Sequence, residues 1–154
     1  MNIETININI VVDVMKALSE GTLESNAYLI DDSEAGSKGQ CTESLYTVCK
    51  PGDIVRWKVC PIDLQAGAYI DSVSFGDGHS SQSHDGISPY LYTWEGIVPY
   101  LPEGDYHYRL SLRMGKGQNS VMSIETPALH IEPYRVTYPK QDSHEQTDYN
   151  TDND

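Results

Sequence analysis

From Glu4 to Asp13 apolar and polar residues alternate, with Ile6, Ile8, Ile10 and Val12 on one side and Thr5, Asn7, Asn9 and Asp13 on the other. A period of two in β-branched residues predicts a half-buried strand, because a helix repeats its apolar positions every three or four residues. The polar stretch Met15 to Asn26 is compatible with a short helical turn or a long connection, and a connection is the preferred reading. Ala27-Tyr28-Leu29-Ile30 then resumes a strand, and Asp31 to Gln40, with two Gly, two Ser and four charged residues, is expected to be an exposed loop. Lys50-Pro51-Gly52-Asp53 is a turn signal, since Pro presets φ at the second position and Gly accepts a positive φ after it. In the strand that follows, Ile54 to Cys60, Val55, Trp57 and Val59 share one face and Arg56 and Lys58 the other, which makes Trp57 a candidate core anchor.

Tyr69 to Phe75 alternates again, with Val73 and Phe75 inward, and Gly76-Asp77-Gly78 stops it ahead of a loop running to about Ser88. A short strand around Trp94 is expected within Leu91 to Val98, bracketed by Pro99, Pro102 and Gly104. Asp105 to Met114 sets Tyr106, Tyr108, Leu110, Leu112 and Met114 against His107, Arg109, Ser111 and Arg113 across the pleat. Gly115 to Asn119 reads as a hairpin loop into Ser120 to Ile124, and Ala128 to Glu132 supplies a last strand. Gly104-Asp105-Tyr106-His107-Tyr108 resembles the start of a penultimate strand in immunoglobulin-like sandwiches, where tyrosine hydroxyls are used beside the turn. Short strands at this spacing predict an all-β fold, an immunoglobulin-like or jelly-roll-type antiparallel β-sandwich over residues 1–138. Residues 139–154 are expected to be an acidic, flexible tail: from Gln141 to Asp154 there are five acidic residues and no Lys or Arg.

Four segments in order resemble the AidA/PixA family of bacterial proteins, the inclusion body protein family. Ile8-Asn9-Ile10-Val11-Val12-Asp13 is similar to the family's opening strand, and Gly39-Gln40-Cys41-Thr42-Glu43-Ser44-Leu45 to its G-Q-G-T-x-x-L segment, with Cys in place of the second Gly. Gly52-Asp53-Ile54-Val55-Arg56-Trp57 resembles the G-D-x-I-R-W strand, and Tyr106 to Ile131 the closing hairpin and final strand. The resemblance implies a small cytoplasmic protein that accumulates in quantity and, in some members, packs into intracellular inclusions. It implies no catalytic residues and no cofactor. Some members are methionine-rich, but four Met in 154 residues do not suggest a store of that amino acid.

Charge narrows the partners. A formal charge of −13 repels phosphate backbones and anionic membranes, so no nucleic-acid and no membrane partner is expected. The sequence MNIETININI has neither the basic start nor the apolar run of a secretory signal, and no stretch approaches the roughly 20 apolar residues of a spanning helix. Cys41, Cys49 and Cys60, an odd number without zinc spacing, read as reduced thiols in the cytoplasm, although a Cys49 to Cys60 bridge would suit a secreted chain.

The polar cluster with most ligand chemistry is Asp77, His79, His84 and Asp85 in one Gly- and Ser-rich loop, since imidazole and carboxylate bind zinc or copper. No rigid HExxH-type spacing holds them, so an ordinary exposed loop outweighs a metal site. Asp148-x-Asn150-x-Asp152 opens like a calcium loop but lacks its glycine and its twelfth ligand. There is no nucleophile elbow and no phosphate-cradling loop; His107 and His130 read as surface or sheet-edge imidazoles, and no catalytic residue is assigned. Tyr90, Tyr92, Trp94 and Tyr100 gather in a Pro-bounded stretch that would suit a sugar or a protein partner, against strand packing as the plainer alternative. Two functions compete: a non-enzymatic protein that self-associates through strand edges or aromatic faces, as a homo-oligomer or higher assembly, and a module binding a glycan, small molecule or cation.

Overall fold

The computed structural model describes residues 3–63, 65–75, 92–115 and 120–133, and nine strands and one short helix lie within them. The first sheet holds β1 (Thr5–Val12), β2 (Ala27–Asp31), β4 (Ile54–Pro61) and β6 (Thr93–Ile97) in the order β2-β1-β4-β6. The second holds β3 (Tyr46–Cys49), β5 (Ala68–Phe75), β7 (Gly104–Met114) and β9 (Ala128–Ile131) in the order β3-β9-β7-β5, with β8 (Val121–Ile124) paired to the later part of β7. The protein is an all-β sandwich, and its core lies between the inward faces that the alternation marked: Ile6, Ile8, Ile10 and Val12 from β1, Val55, Trp57 and Val59 from β4, and Tyr108, Leu110, Leu112 and Met114 from β7. Both sheets are mixed rather than purely antiparallel, because β1 pairs parallel with β4 and β3 parallel with β9. Periodicity fixes which face a residue takes; it carries no information about which strand lies beside which.

Two segments differ from the sequence expectation. Val14–Glu20 is a helix, α1, not a bare connection: Asp13 accepts a hydrogen bond from the Lys16 amide as N-cap, and Gly21 closes the other end in the left-handed conformation. Tyr46–Cys49 is a strand that the alternation did not reveal, since three of its four residues are buried. In β5 the register slips between Ile70 and Ser72, so that Asp71 is an extra residue and both Ile70 and Val73 point inward despite their odd separation. Asp71 then accepts a 2.9 Å hydrogen bond from Arg113 Nη2.

The sheets are tied by named polar contacts as well as by apolar area. Trp57 Nε1 donates to the Tyr108 hydroxyl at 3.2 Å across the core, with the two rings edge to face at 5.4 Å between centroids. Tyr106 Oη donates to the Pro102 carbonyl at 2.8 Å, the tyrosine-at-the-turn arrangement expected for this strand. Asp53, 2 % exposed, accepts from the Glu4 amide through Oδ1 and from the Lys50 amide through Oδ2, joining the start of β1 to the turn before β4.

The Gly39-to-Thr42 segment seals one edge of the sandwich. The Cys41 amide donates to the Leu29 carbonyl at 2.8 Å and the Leu29 amide to the Thr42 carbonyl at 3.0 Å, while Gln40 bonds the backbone and side chain of Asp31. Only glycine suits position 39, where a Cβ would lie 2.9 Å from the Ser44 carbonyl oxygen. Cys41 also adopts a left-handed conformation, with φ of 66°. That is the place where the resembled family carries glycine. A non-glycine residue costs about 1–2 kcal/mol there, and glycine returns part of this through its freer unfolded chain. Cys41→Gly is therefore expected to stabilise the protein by about 0.5–1 kcal/mol, seen as a higher denaturation midpoint at unchanged m-value; a lower midpoint would contradict the strain.

Candidate functional site

Edges and faces of the sandwich are the surfaces to examine. The connection between β2 and β3 covers the outer edges of both strands: it bonds Leu29 as described, Lys38 exchanges two backbone hydrogen bonds with Tyr46, and Ser33 Oγ donates to the Val48 carbonyl. The bulge at Asp71 interrupts β5. The first sheet also has an outward face.

That face is built by strand alternation. The residues that β4 turns away from the core are Ile54, Arg56, Lys58 and Cys60, and β6 sets Ile97, Glu95 and Thr93 opposite the first three of them. Arg56 and Glu95 form an ion pair at 2.8 Å. Ile97 is 71 % exposed beside Ile54, and the chain continues to Tyr100, 75 % exposed, and Leu101. The Tyr100 ring is held near the Gly52 turn, where a Cβ on Gly52 would meet its hydroxyl at 3.2 Å. One end of this face thus presents apolar side chains to water, and its middle presents two cations.

The structure separates the four aromatic residues gathered by sequence. Trp94 turns inward, 8 % exposed, opposite Trp57 in the strand register, so it belongs to the core and presents no surface for a ligand. Tyr92, 56 % exposed, packs on Tyr69 at 5.1 Å at one end of β6, and Tyr100 lies beyond the other end. Tyr90 and the loop residues Asp77, His79, His84 and Asp85 lie outside the described residues, as does the segment 139–154. Among the described residues no group of three or more His, Cys, Asp or Glu is arranged to hold a metal ion.

An acidic cleft of about 180 Å³ opens where β1 begins and β3 and β9 end, lined by Glu4, Glu34, Asp53 and Glu132 around Lys50. Lys50 Nζ lies 3.9 Å from Glu4. Beside the cleft the Cys49 thiol donates to the His130 carbonyl, and burial, with Asp53, Glu132 and Asp31 nearby, pushes it up to about 12. It stays protonated at neutral pH and is no nucleophile. Cys41, Cys49 and Cys60 are all free thiols.

A third cluster lies on the outward face of the second sheet. Asp105 on β7 accepts from the Tyr46 hydroxyl at 2.9 Å and bonds His130 Nδ1 at 2.6 Å, while the Tyr46 and His130 rings stack at 5.1 Å. The clasp spans three strands, and because its members are far apart in sequence only the pairing of β3, β9 and β7 reveals it. The His130 and Tyr46 hydrogen bonds hold the Asp105 carboxyl below the usual carboxylate range. Burial, followed by the Asp105 hydrogen bond, raises the Tyr46 phenol. A carboxyl whose folded value lies below its unfolded value adds stability above about pH 4 and gives it up as the pH falls through the folded value. The difference in melting temperature between the wild type and Asp105→Asn is expected to be present at pH 7 and to close below pH 4; a constant difference down to pH 2 would contradict the clasp. The cluster ties β3 and β9 to β7 through side chains.

Comparison with known proteins gives a family match and a likeness in fold. A family model described as a domain of unknown function (DUF8788) matches residues 4–120. The crystal structure of an inclusion body protein (PixA) from Burkholderia cenocepacia J2315 is similar in fold, with a TM-score of 0.62 and 12 % identity over 87 % of this chain and 97 % of that one. No curated protein matches the sequence. The likeness to PixA is one of architecture.

Proposed function

Since the chain belongs to the family of the domain of unknown function DUF8788, which assigns no activity, we propose from its surface that it is a non-catalytic structural protein that assembles with copies of itself. The observation that carries this reading is the apolar end of the first sheet's outward face, where Ile97 at the end of β6 and Tyr100 and Leu101 in the segment after it are presented to water. Clustered apolar exposure of this kind marks a surface that is covered in use. A protein held at the density of an inclusion needs such a surface, and the fold likeness to a protein described as an inclusion body protein favours the same role. No helix among the described residues is long and apolar enough to cross a membrane. The reading places the protein in the cytoplasm, where three free thiols remain reduced.

Self-association has to work against a net charge of −13, so it is expected to be concentration-dependent and weak at micromolar protein. Size-exclusion chromatography with light scattering is expected to give a mass that rises above the monomer as the loading concentration rises. Ile97→Asp, which sets a charge into the apolar end without touching the core, is expected to hold the mass near the monomer. A wild-type protein that stays strictly monomeric at the highest attainable concentration would sink the proposal.

A further inference from the structure

We infer that the outward face of the first sheet on one copy docks onto the acidic cleft of a second copy of this chain; this rests on the self-association proposed above and names its two surfaces. The strand residues on that face carry Arg56 and Lys58 against Glu95 alone, in a chain whose net charge is −13. Arg56 is already bound to Glu95, but Lys58, exposed one step further along β4, makes no ion pair among the described residues.

The cleft has the opposite character. Asp53 spends both carboxylate oxygens on backbone amides, and Lys50 lies within reach of Glu4. Glu34 and Glu132 are left as carboxylates without an ion pair among the described residues, and the cleft at about 180 Å³ is open to a side chain from outside. Face and cleft are complementary in charge, and they adjoin where Glu4 runs into Thr5 and Asp53 into Ile54. Two copies meeting face to face would set Lys58 against another positive surface, whereas face to cleft pairs opposite charges, which governs register and partner choice as much as affinity. Such a contact is heterologous: every added copy leaves one face and one cleft unoccupied at the ends, so the assembly grows instead of closing as a dimer.

Charge exchange tests the contact in the full chain. Sedimentation velocity would be run on Lys58→Glu, on the Glu34→Lys and Glu132→Lys double variant, and on their equimolar mixture. Each variant alone is expected to associate at least tenfold more weakly than the wild type, since like charges then face each other, and the mixture is expected to recover association. Recovery itself requires both variants to be folded. Lys58→Arg, which keeps the charge, is expected to behave as the wild type. If the wild type self-associates but Lys58→Glu does so equally well, or the mixture shows no recovery, or Lys58→Arg is as defective as Lys58→Glu, the face-to-cleft contact is wrong while self-association stands. A monomeric wild type would overturn both.

Discussion

Trp57→Ala is expected to cost about 4–5 kcal/mol, the largest loss from any single truncation in the core. Removing a buried Trp side chain costs about 3–5 kcal/mol through lost transfer energy and the remaining cavity. Here the indole is fully buried between Ile8 and Trp94 in the strand row and lies edge to face against Tyr108 on the opposite sheet. Its loss also strips the Tyr108 hydroxyl of the donor that binds it; burial pushes the Tyr108 phenol up, and the Trp57 hydrogen bond works against that rise. Natural domains are stable by about 5–15 kcal/mol, so the variant would be close to unfolding at room temperature, with a melting temperature lower by on the order of 10 °C or more. Tyr108→Phe separates the contributions, since it keeps the ring and orphans only the indole N–H, for about 1–2 kcal/mol. Urea unfolding of both variants gives the comparison. A cost below about 1.5 kcal/mol for Trp57→Ala would mean that the two sheets do not meet through this pair.

The second large effect is expected at Asp53. Asp53→Ala leaves the Glu4 and Lys50 amides without their acceptor at the wall of the cleft, and hydrogen bonds to a charged group contribute about 1.5–3 kcal/mol each before the cost of burying the carboxylate is subtracted. About 3 kcal/mol is the expected net loss. Asp53→Asn should fall between wild type and Ala, because one oxygen still accepts while the amide NH₂ faces a second donor. The Asp53 backbone also carries the strand junction, its carbonyl accepting from the Val98 amide at 2.8 Å, and that bond survives either substitution. The loss is therefore expected as faster unfolding around the start of β1, read by hydrogen exchange at Glu4 and Lys50. Equal protection in wild type and Asp53→Ala would contradict the clamp.

These two residues show what could be read from the chain and what could not. Trp57 was marked as an anchor by alternation alone, because Val55, Trp57 and Val59 share a face in any extended segment. Its partner Tyr108 was placed inward for the same reason, but the hydrogen bond between them depends on how two sheets stack, which no local pattern encodes. Asp53 was read as a turn residue; that its carboxylate reaches Glu4, 49 positions away, follows only from the parallel pairing of β1 and β4. Helix α1 escaped because seven residues are too few for a 3.6-residue period to declare itself, although Asp13 and Gly21 at its ends were a legible pair of caps. The candidate surface divides the same way. Alternation sets Arg56 and Lys58 on the face opposite Trp57, yet bringing Ile97 beside Ile54 at one end of that face requires the register of β4 with β6. Sequence proximity groups Trp94 with Tyr92 and Tyr100, but only Trp94 lies within β6, where it turns inward, whereas Tyr92 and Tyr100 lie before and beyond that strand.

The sandwich, its outward face and the proposed assembly meet in one measurement. Hydrogen exchange followed by mass spectrometry, at low and high concentration of the wild-type protein, reports which backbone segments become covered as copies associate. Protection is expected to rise with concentration in the peptides spanning 54–60 and 93–101 and in those lining the acidic cleft, and to stay constant in the buried core of β7. Identical exchange at both concentrations, or a gain confined to the outward face of the second sheet, would contradict association through the first sheet.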